Sequence, residues 1–332
     1  KPMIELQDLQ LKKLNLEDLR IKVIKQMNVA IMIEGHICLY WERLQRIELA
    51  VEELGFAGLY RSDHYTNADP PDKDSLELWV SLTWLADHTQ RISFGPLVSP
   101  VSFRHPTMLA RMAAAVDDLS GGRLTLGVGA GWQEREHHNY GWDLLDIEGR
   151  FDRFEEGLQV ISLLLHSDEP AAFTGDYFQL REGTLLPRPQ RPGGPPILVG
   201  GNGMKKTLPL AARFAEEWNG VYINPEAYAK RNSRLDELLQ AEGRRTEDVR
   251  RSLMTGCLFA KDAAERAAKL EKVNKSAEEL RHSGVAVGTG AEILDQLGEW
   301  QEAGVQQIML QWLDLDDLHG LAALAEAVLP HV

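Results

Sequence analysis

Eight times along this chain a short apolar run gives way to a longer amphipathic stretch. The runs are 27–34, 56–62, 91–99, 123–131, 195–201, 216–223, 250–261 and 305–312. Each is short, apolar and bounded by glycine, proline or polar residues, which reads as a strand buried on both faces. The stretches 41–55, 76–89, 105–122, 148–166, 204–214, 225–242, 263–283, 288–304 and 316–328 carry helical periodicity. Repeated βα units imply a parallel sheet with right-handed crossovers. Eight of them in about 300 residues imply an α/β fold of the (β/α)8 TIM-barrel kind. The rival, an open doubly wound sheet, is expected to place a GxGxxG turn after its first strand. Here that position reads EGHICLYW, residues 34–41.

Two segments break the rhythm. Residues 169–194 are rich in Pro and Gly and read as a hairpin excursion, and 283–290 read as a loop. Both are expected as insertions on a single domain spanning 27–332. Residues 1–26 are leucine-rich and charged, with spacings that favour neither helix nor strand, and form an extension of unknown role.

Composition narrows the function. The formal net charge is −14, which argues against a nucleic-acid partner or an anionic membrane surface. An anionic small ligand would need a local basic pocket. The two cysteines, Cys38 and Cys257, form no CxxC pair and read as buried thiols, in keeping with a reducing cytoplasm. No apolar run is long enough to span a bilayer, and KPMIELQDLQLKK lacks the apolar core of a signal peptide.

Active sites of such barrels lie at the C-terminal ends of the strands. The first strand ends in Glu34-Gly35-His36, the second in Arg61-Ser62-Asp63-His64-Tyr65, and the third in Leu97-Val98-Ser99. His64 is a candidate for proton transfer near neutral pH, and Asp63 for binding a ring edge or setting the His64 tautomer. A capping aspartate beside a surface histidine would read the same way. GVGAGWQEREHHNYG (127–141) follows the fourth strand. Gly129, Ala130 and Gly131 would let a flat ligand approach the backbone, Trp132 could stack on it, and Glu134, His137, His138 and Tyr140 would form a polar loop over the same mouth. Packing by Trp132 and solvation of the charges is the plainer alternative. After the fifth strand, Gly200, Gly201, Asn202 and Gly203 precede Lys205 and Lys206 at a helix start, a pattern that suits a phosphate and also suits an ordinary βα turn. Glu34, His36, His64, His105 and Asp314 are the pieces a metal site would draw on, but the E-x-H pair is a weak ligand signature and no metal is expected. No GxSxG elbow is present.

Several stretches together resemble one family. They are LAVEELGFAGLYRSDHY, SPVSFRHPTMLARMAAAVDDLSGGRLTLGVGAGWQEREHHNYG, PPILVGGNGMKKTLPLAARFAEEWNG and VQQIMLQW. From about residue 27 to 330 the chain resembles the bacterial luciferase-like superfamily, in its branch of oxidoreductases using the deazaflavin coenzyme F420. The resemblance implies a (β/α)8 barrel with insertions, usually a homodimer or larger. It implies that Asp63 contacts the ring's polar edge and that His64 transfers a proton or stabilises charge. It implies a non-proline cis peptide behind the ring, at Leu97-Val98, and a phosphate site over Gly200–Gly203; the coenzyme's acidic tail needs local positive charge, for which Lys205, Lys206 and Arg104 are the candidates. Some deazaflavin members carry a glutamate proton donor near the end of the fourth strand. Here Trp132 stands at about that place, and Glu134 two positions on is the candidate donor, with His137 and His138 on the substrate side. The activity implied is hydride transfer between coenzyme F420 and a small organic substrate. The alternatives are an FMN-dependent monooxygenase of the same fold and a non-catalytic flavin-binding barrel.

Overall fold

The computed structural model describes residues 27–332; the extension over 1–26 lies outside the described residues. The first strand, β1 (Asn28–Ile33), is followed by α1 (Trp41–Leu54), β2 (Gly58–Arg61), α2 (Leu78–His88), β3 (Ser93–Pro96), β4 (Ser99–Pro100), α3 (Pro106–Leu119) and β5 (Leu126–Gly129). Then come α4 (Glu134–Tyr140), α5 (Ile147–His166), β6 (Ala171–Thr174), β7 (Gln179–Gly183), β8 (Ile197–Gly200), α6 (Thr207–Phe214) and β9 (Glu217–Val221). The chain continues through α7 (Pro225–Ala241), β10 (Arg250–Phe259), α8 (Ala263–Val273), α9 (Ala277–His282), β11 (Ala286–Gly288), α10 (Gly290–Glu302), β12 (Gln307–Gln311) and α11 (Leu318–Val328).

The barrel strands pair in the order β3-β2-β1-β12-β10-β9-β8-β5-β4, all parallel. β3 and β4 are one run interrupted at Leu97-Val98, whose peptide bond is cis. β4 pairs with β5, and a parallel bridge joins Phe94 to Leu124, so the sheet closes on itself. This is the (β/α)8 barrel that the eight-fold rhythm implies.

Strand periodicity sorts the core into two layers. In β1, Val29, Ile31 and Ile33 join the large cluster between sheet and helices, while Ala30 and Met32 join a separate cluster. That inner cluster, with Tyr60, Leu97, Leu198, Met254 and Met309, fills the lumen beneath the mouth. The helices cover the outside with one apolar face each. In α1 the buried set Leu44, Ile47, Glu48 and Val51 has the helical spacing of three and four, and Gly55 ends the helix at φ 94°.

The structure departs from the sequence reading in four places. Glu134–Tyr140 is a helix, not a loop. The long helix expected over 263–283 is two, α8 and α9, because Asn274 closes the first in a left-handed conformation and Ser276 caps the second. Within 283–290, Ala286–Gly288 form a strand, β11, that pairs in parallel with the C-terminal end of β10 at Cys257–Phe259. Cys38 and Cys257 are free thiols but only half-buried. Between 169 and 194, β6 and β7 make an antiparallel hairpin. No described helix is long and apolar enough to cross a membrane.

Candidate active site

Adjacent residues leave β2 in opposite directions. Asp63 turns outward, is 3% exposed, and accepts hydrogen bonds from Ser99 Oγ at 2.7 Å and from both terminal nitrogens of Arg104. The same guanidinium donates to Tyr65 Oη at 2.7 Å and Glu77 Oε1 at 2.6 Å. Burial raises the Asp63 pKa above the ordinary carboxylate value, against the opposing pull of Arg104. Asp63 is thus the anchor of a buried ion cluster behind the strand.

His64 turns to the mouth. Its Nδ1 lies 2.9 Å from Oε1 of Glu136, and the other Glu136 oxygen accepts the Tyr65 amide at 3.1 Å. The Glu136 side chain is 0% exposed. Burial works against a charged His64, but the Glu136 hydrogen bond and charge outweigh it, and the pKa stands above its ordinary value. The carboxylate on His64 is therefore that of Glu136. Glu134 is exposed and lines, with His138, Trp142, Asp143 and Arg150, a cavity of about 350 Å³ beside α4.

Glu136 reaches His64 because α4 is docked on the segment after β2. Thr66 and Gln133 exchange two hydrogen bonds, at 2.8 and 3.1 Å, and Arg135 binds Asp72 and the Asn67 carbonyl. Tyr65 packs between Phe103, Tyr140 and Trp142, with ring centroids 5.3 to 5.6 Å apart. His137 is also committed to this docking: Nδ1 bonds the Gln133 carbonyl at 2.6 Å and Nε2 the Ser102 hydroxyl at 2.8 Å. Gly131, at φ 84°, leaves room there, since a Cβ would lie 2.8 Å from Ser102 Oγ. His138 is exposed. Sequence reasoning misses Glu136 because 134–140 reads as a polar loop, whereas it is a helix. Read as a helix, Gln133, Glu136 and His137 fall on one buried face at spacings of three and four, and that was the available signal.

A second imidazole stands beside the first. The His36 and His64 rings are 5.2 Å apart and nearly perpendicular, at 87°. His36 Nδ1 faces Glu34 Oε2 at 3.5 Å, while Glu34 Oε1 accepts from Gln311 Nε2 at 2.6 Å. Tyr222 donates in turn to Gln311. Burial lowers the His36 pKa; Glu34 opposes this and His64 reinforces it. Trp132, 60% exposed, sets its ring edge-on to His64 at 5.5 Å.

Glycine lines the opposite rim. The Val98 side chain fills the space that a Cβ on Gly129 would occupy, 2.6 Å from Cγ2, and on Gly200, 3.0 Å from Cγ1. Leu97 belongs to the lumen cluster beneath, with Val98 packed against it, and Ala130 packs on the outer core. The turn after β8 is pinned to β9. Gly201 donates its amide to the Asn219 carbonyl, and its own carbonyl accepts from Trp218 Nε1; Asn202 exchanges two hydrogen bonds with the Val221 backbone. Gly203 and Lys205 are exposed beside it, and Lys206 Nζ lies 5.9 Å over the Phe151 ring. Among the described residues no group of three or more His, Cys, Asp or Glu is placed to hold a metal ion.

Comparison with known proteins gives this geometry a family. Residues 32–307 match the sequence model of the luciferase-like monooxygenases. The chain is 28% identical over 286 residues to the F420-dependent glucose-6-phosphate dehydrogenase of Amycolatopsis mediterranei (strain U-32), covering 82% of this chain and 80% of that one. It is 32% identical over 198 residues to the 4-hydroxyprotoasukamycin monooxygenase of Streptomyces nodosus subsp. asukaensis, covering 60% of this chain and half of that relative's length. An F420-dependent secondary alcohol dehydrogenase, solved with an F420-acetone adduct, superposes with a TM-score of 0.77 at 18% identity, over 92% of this chain and 99% of that one. The match to the family over most of the barrel, including the strand ends that carry His64, Val98 and the glycine rim, shows that this chain belongs to the luciferase-like monooxygenase family.

Proposed function

We propose that the protein is an oxidoreductase that moves a hydride between coenzyme F420 and a small organic substrate. The observation that carries this is His64 held by the buried Glu136 at a mouth where Val98 is seated on Gly129 and Gly200. The residues present suit a flat, phosphate-bearing cofactor. Gly129 and Gly200 seat the Val98 side chain and Gly131 seats Ser102, so Val98 is the branched wall against which a flat ring would lie, with Ala130 beside it. In the adjoining turn the Gly201 amide and the Asn202 side chain are spent on β9, and Gly203 and Lys205, both exposed, would hold the phosphate. When bound, the deazaflavin supplies hydride chemistry. The chain's own residues do the rest. Trp132 flanks the ring space, Glu136 fixes the His64 ring and its charge, and Asp63 holds the strand end through Arg104 without facing the mouth.

The substrate class we assign exchanges a proton at oxygen as its carbon exchanges a hydride: an alcohol or hemiacetal in one direction, a ketone or lactone in the other. Two imidazole–carboxylate pairs at one mouth support it, as do the dehydrogenase names among the relatives. A second reading, an FMN-dependent monooxygenase, is favoured by the 32% identity to a monooxygenase.

The same proposal takes residues 27–332 as one domain with 169–194 as its insertion. It places the protein in the cytoplasm, on the strength of two free thiols. It also pairs two copies through a groove of about 490 Å³ on the outer helices, lined by Trp41, Val80, Trp84 and Leu119. Val80 and Leu119 are exposed there.

Parallel fluorescence titrations with oxidised F420 and FMN test the reading. Tighter binding of F420, weakened at least about tenfold by Trp132→Ala with unchanged melting, supports it. Preference for FMN favours the monooxygenase. Cofactor binding without turnover of any alcohol leaves a non-catalytic flavin-binding barrel.

A further inference from the structure

The two histidines at the mouth look alike in sequence but stand in different environments. His64 Nδ1 is spent on Glu136, a fully buried carboxylate whose second oxygen is fixed by the Tyr65 amide. That arrangement favours a ring carrying both protons, which can donate from Nε2 and has no site left to accept. His36 lies on a turn clamped to the residue after β2, where the Gly35 amide donates to Ser62 Oγ at 3.1 Å. Its Nδ1 and the facing Glu34 Oε2 are buried, 3.5 Å apart, and neither has a hydrogen-bond partner. Glu34 itself is held by Gln311. With Nδ1 turned to Glu34, Nε2 is the ring nitrogen left to face the mouth, and 16% of the side chain is exposed.

We propose that His36, rather than His64, is the base that takes the substrate's hydroxyl proton. This rests on the hydride-transfer reading above. In the oxidation direction the carbon–hydrogen electron pair leaves as hydride to the oxidised deazaflavin, which is the oxidant. The O–H bond breaks, its proton goes to Nε2 of His36, and the carbon–oxygen double bond forms. The imidazolium so made is paired with Glu34 and returns its proton to solvent. His64, its Nδ1 bound to Glu136, donates from Nε2 to the same oxygen and orients it. The groups facing His36 are Glu34 on its own turn, His64 and Arg61 from β2 and the segment after it, and Glu136 from α4. Those facing His64 are His36 itself, Glu136, Glu34 and Asp63. One cation beside another is disfavoured, so the charged His64 keeps His36 neutral and ready to accept, in agreement with the opposite directions of their pKa values.

The test compares wild type with His36→Asn, which retains a donor toward Glu34. Deazaflavin binding is read by fluorescence, and turnover is measured with propan-2-ol, cyclohexanol and glucose 6-phosphate as probes. Wild-type kcat/KM is expected to rise with pH through a value below 6.5. In His36→Asn, cofactor affinity should stay within about twofold, kcat should fall about 10²–10⁴-fold, the acid limb should vanish, and added imidazole should restore part of the rate. Turnover by wild type together with an unchanged kcat and acid limb in His36→Asn overturns this proposal alone. Wild type that binds no deazaflavin, or binds it and turns over none of the probes, overturns the hydride-transfer reading and this proposal together.

Discussion

Glu136 and His64 are 72 positions apart in the chain and 2.9 Å apart at the barrel mouth. Their contact predicts a pH-dependent loss on Glu136→Gln. The His64 pKa is raised in the folded state, so its pairing stabilises fully below the unfolded value of 6.5 and fades as pH rises through the folded value. The stability difference between wild type and Glu136→Gln should therefore be larger near about pH 5.5 than near about pH 9, approaching about 1.5–3 kcal/mol at the acid end. Urea unfolding at both pH values checks this; equal differences would remove the charged pair from the account.

Arg104 is the cation of a cluster that leaves Asp63 almost without solvent. Arg104→Ala strands that carboxylate and should cost about 3–5 kcal/mol. Adding Asp63→Asn should return part of the loss, since a neutral amide needs no cation. A double-mutant cycle by urea unfolding measures the coupling, and strict additivity would show the pair to be energetically idle.

Val98 and the glycines around it should be coupled in a selective way. A Cβ on Gly129 would sit 2.6 Å from Val98 Cγ2, whereas one on Gly127 would sit 2.1 Å from the Pro96 carbonyl oxygen. Each Gly→Ala change should cost about 1–3 kcal/mol by overpacking. Val98→Ala should rescue Gly129→Ala and leave Gly127→Ala impaired, because only the first clash is with a side chain. Thermal melting of the four variants decides it; rescue of both would mean the backbone yields more than the packing implies.

The outer groove predicts an oligomer. Val80→Glu with Leu119→Glu places two charges where apolar side chains are exposed. Light scattering should report a dimer for wild type and a monomer for the double variant, with melting lowered only as far as dissociation requires. A wild-type monomer at about 100 μM would refute the dimer.

Much of the fold was legible because the strands and helices announce themselves locally. NVAIMI is apolar on both faces, and the inner and outer clusters use its alternate residues. Gly55 stops α1, and Pro106 opens α3, where the chain chemistry says they should. The splitting of the helix at Asn274 was less legible, because an asparagine in a left-handed cap looks like any polar residue of a solvated face.

The sequence by itself determined the eight-fold βα rhythm, hence the barrel, and the gathering of polar and glycine residues at one end of it. Tertiary structure decided what each does there. Asp63 and His64 are neighbours just past the end of β2, yet Asp63 is sealed in a cluster with Arg104 and His64 is held at the mouth, because the partners that meet them come from different elements, Arg104 before α3 and Glu136 on α4. Glu134 and Glu136 are two apart on a short helix, yet only the second reaches His64, because a separation of two turns side chains to different faces of a helix and docking on Thr66 and Asp72 selects which face is buried. Periodicity tells which residues share a face; only packing tells what that face meets.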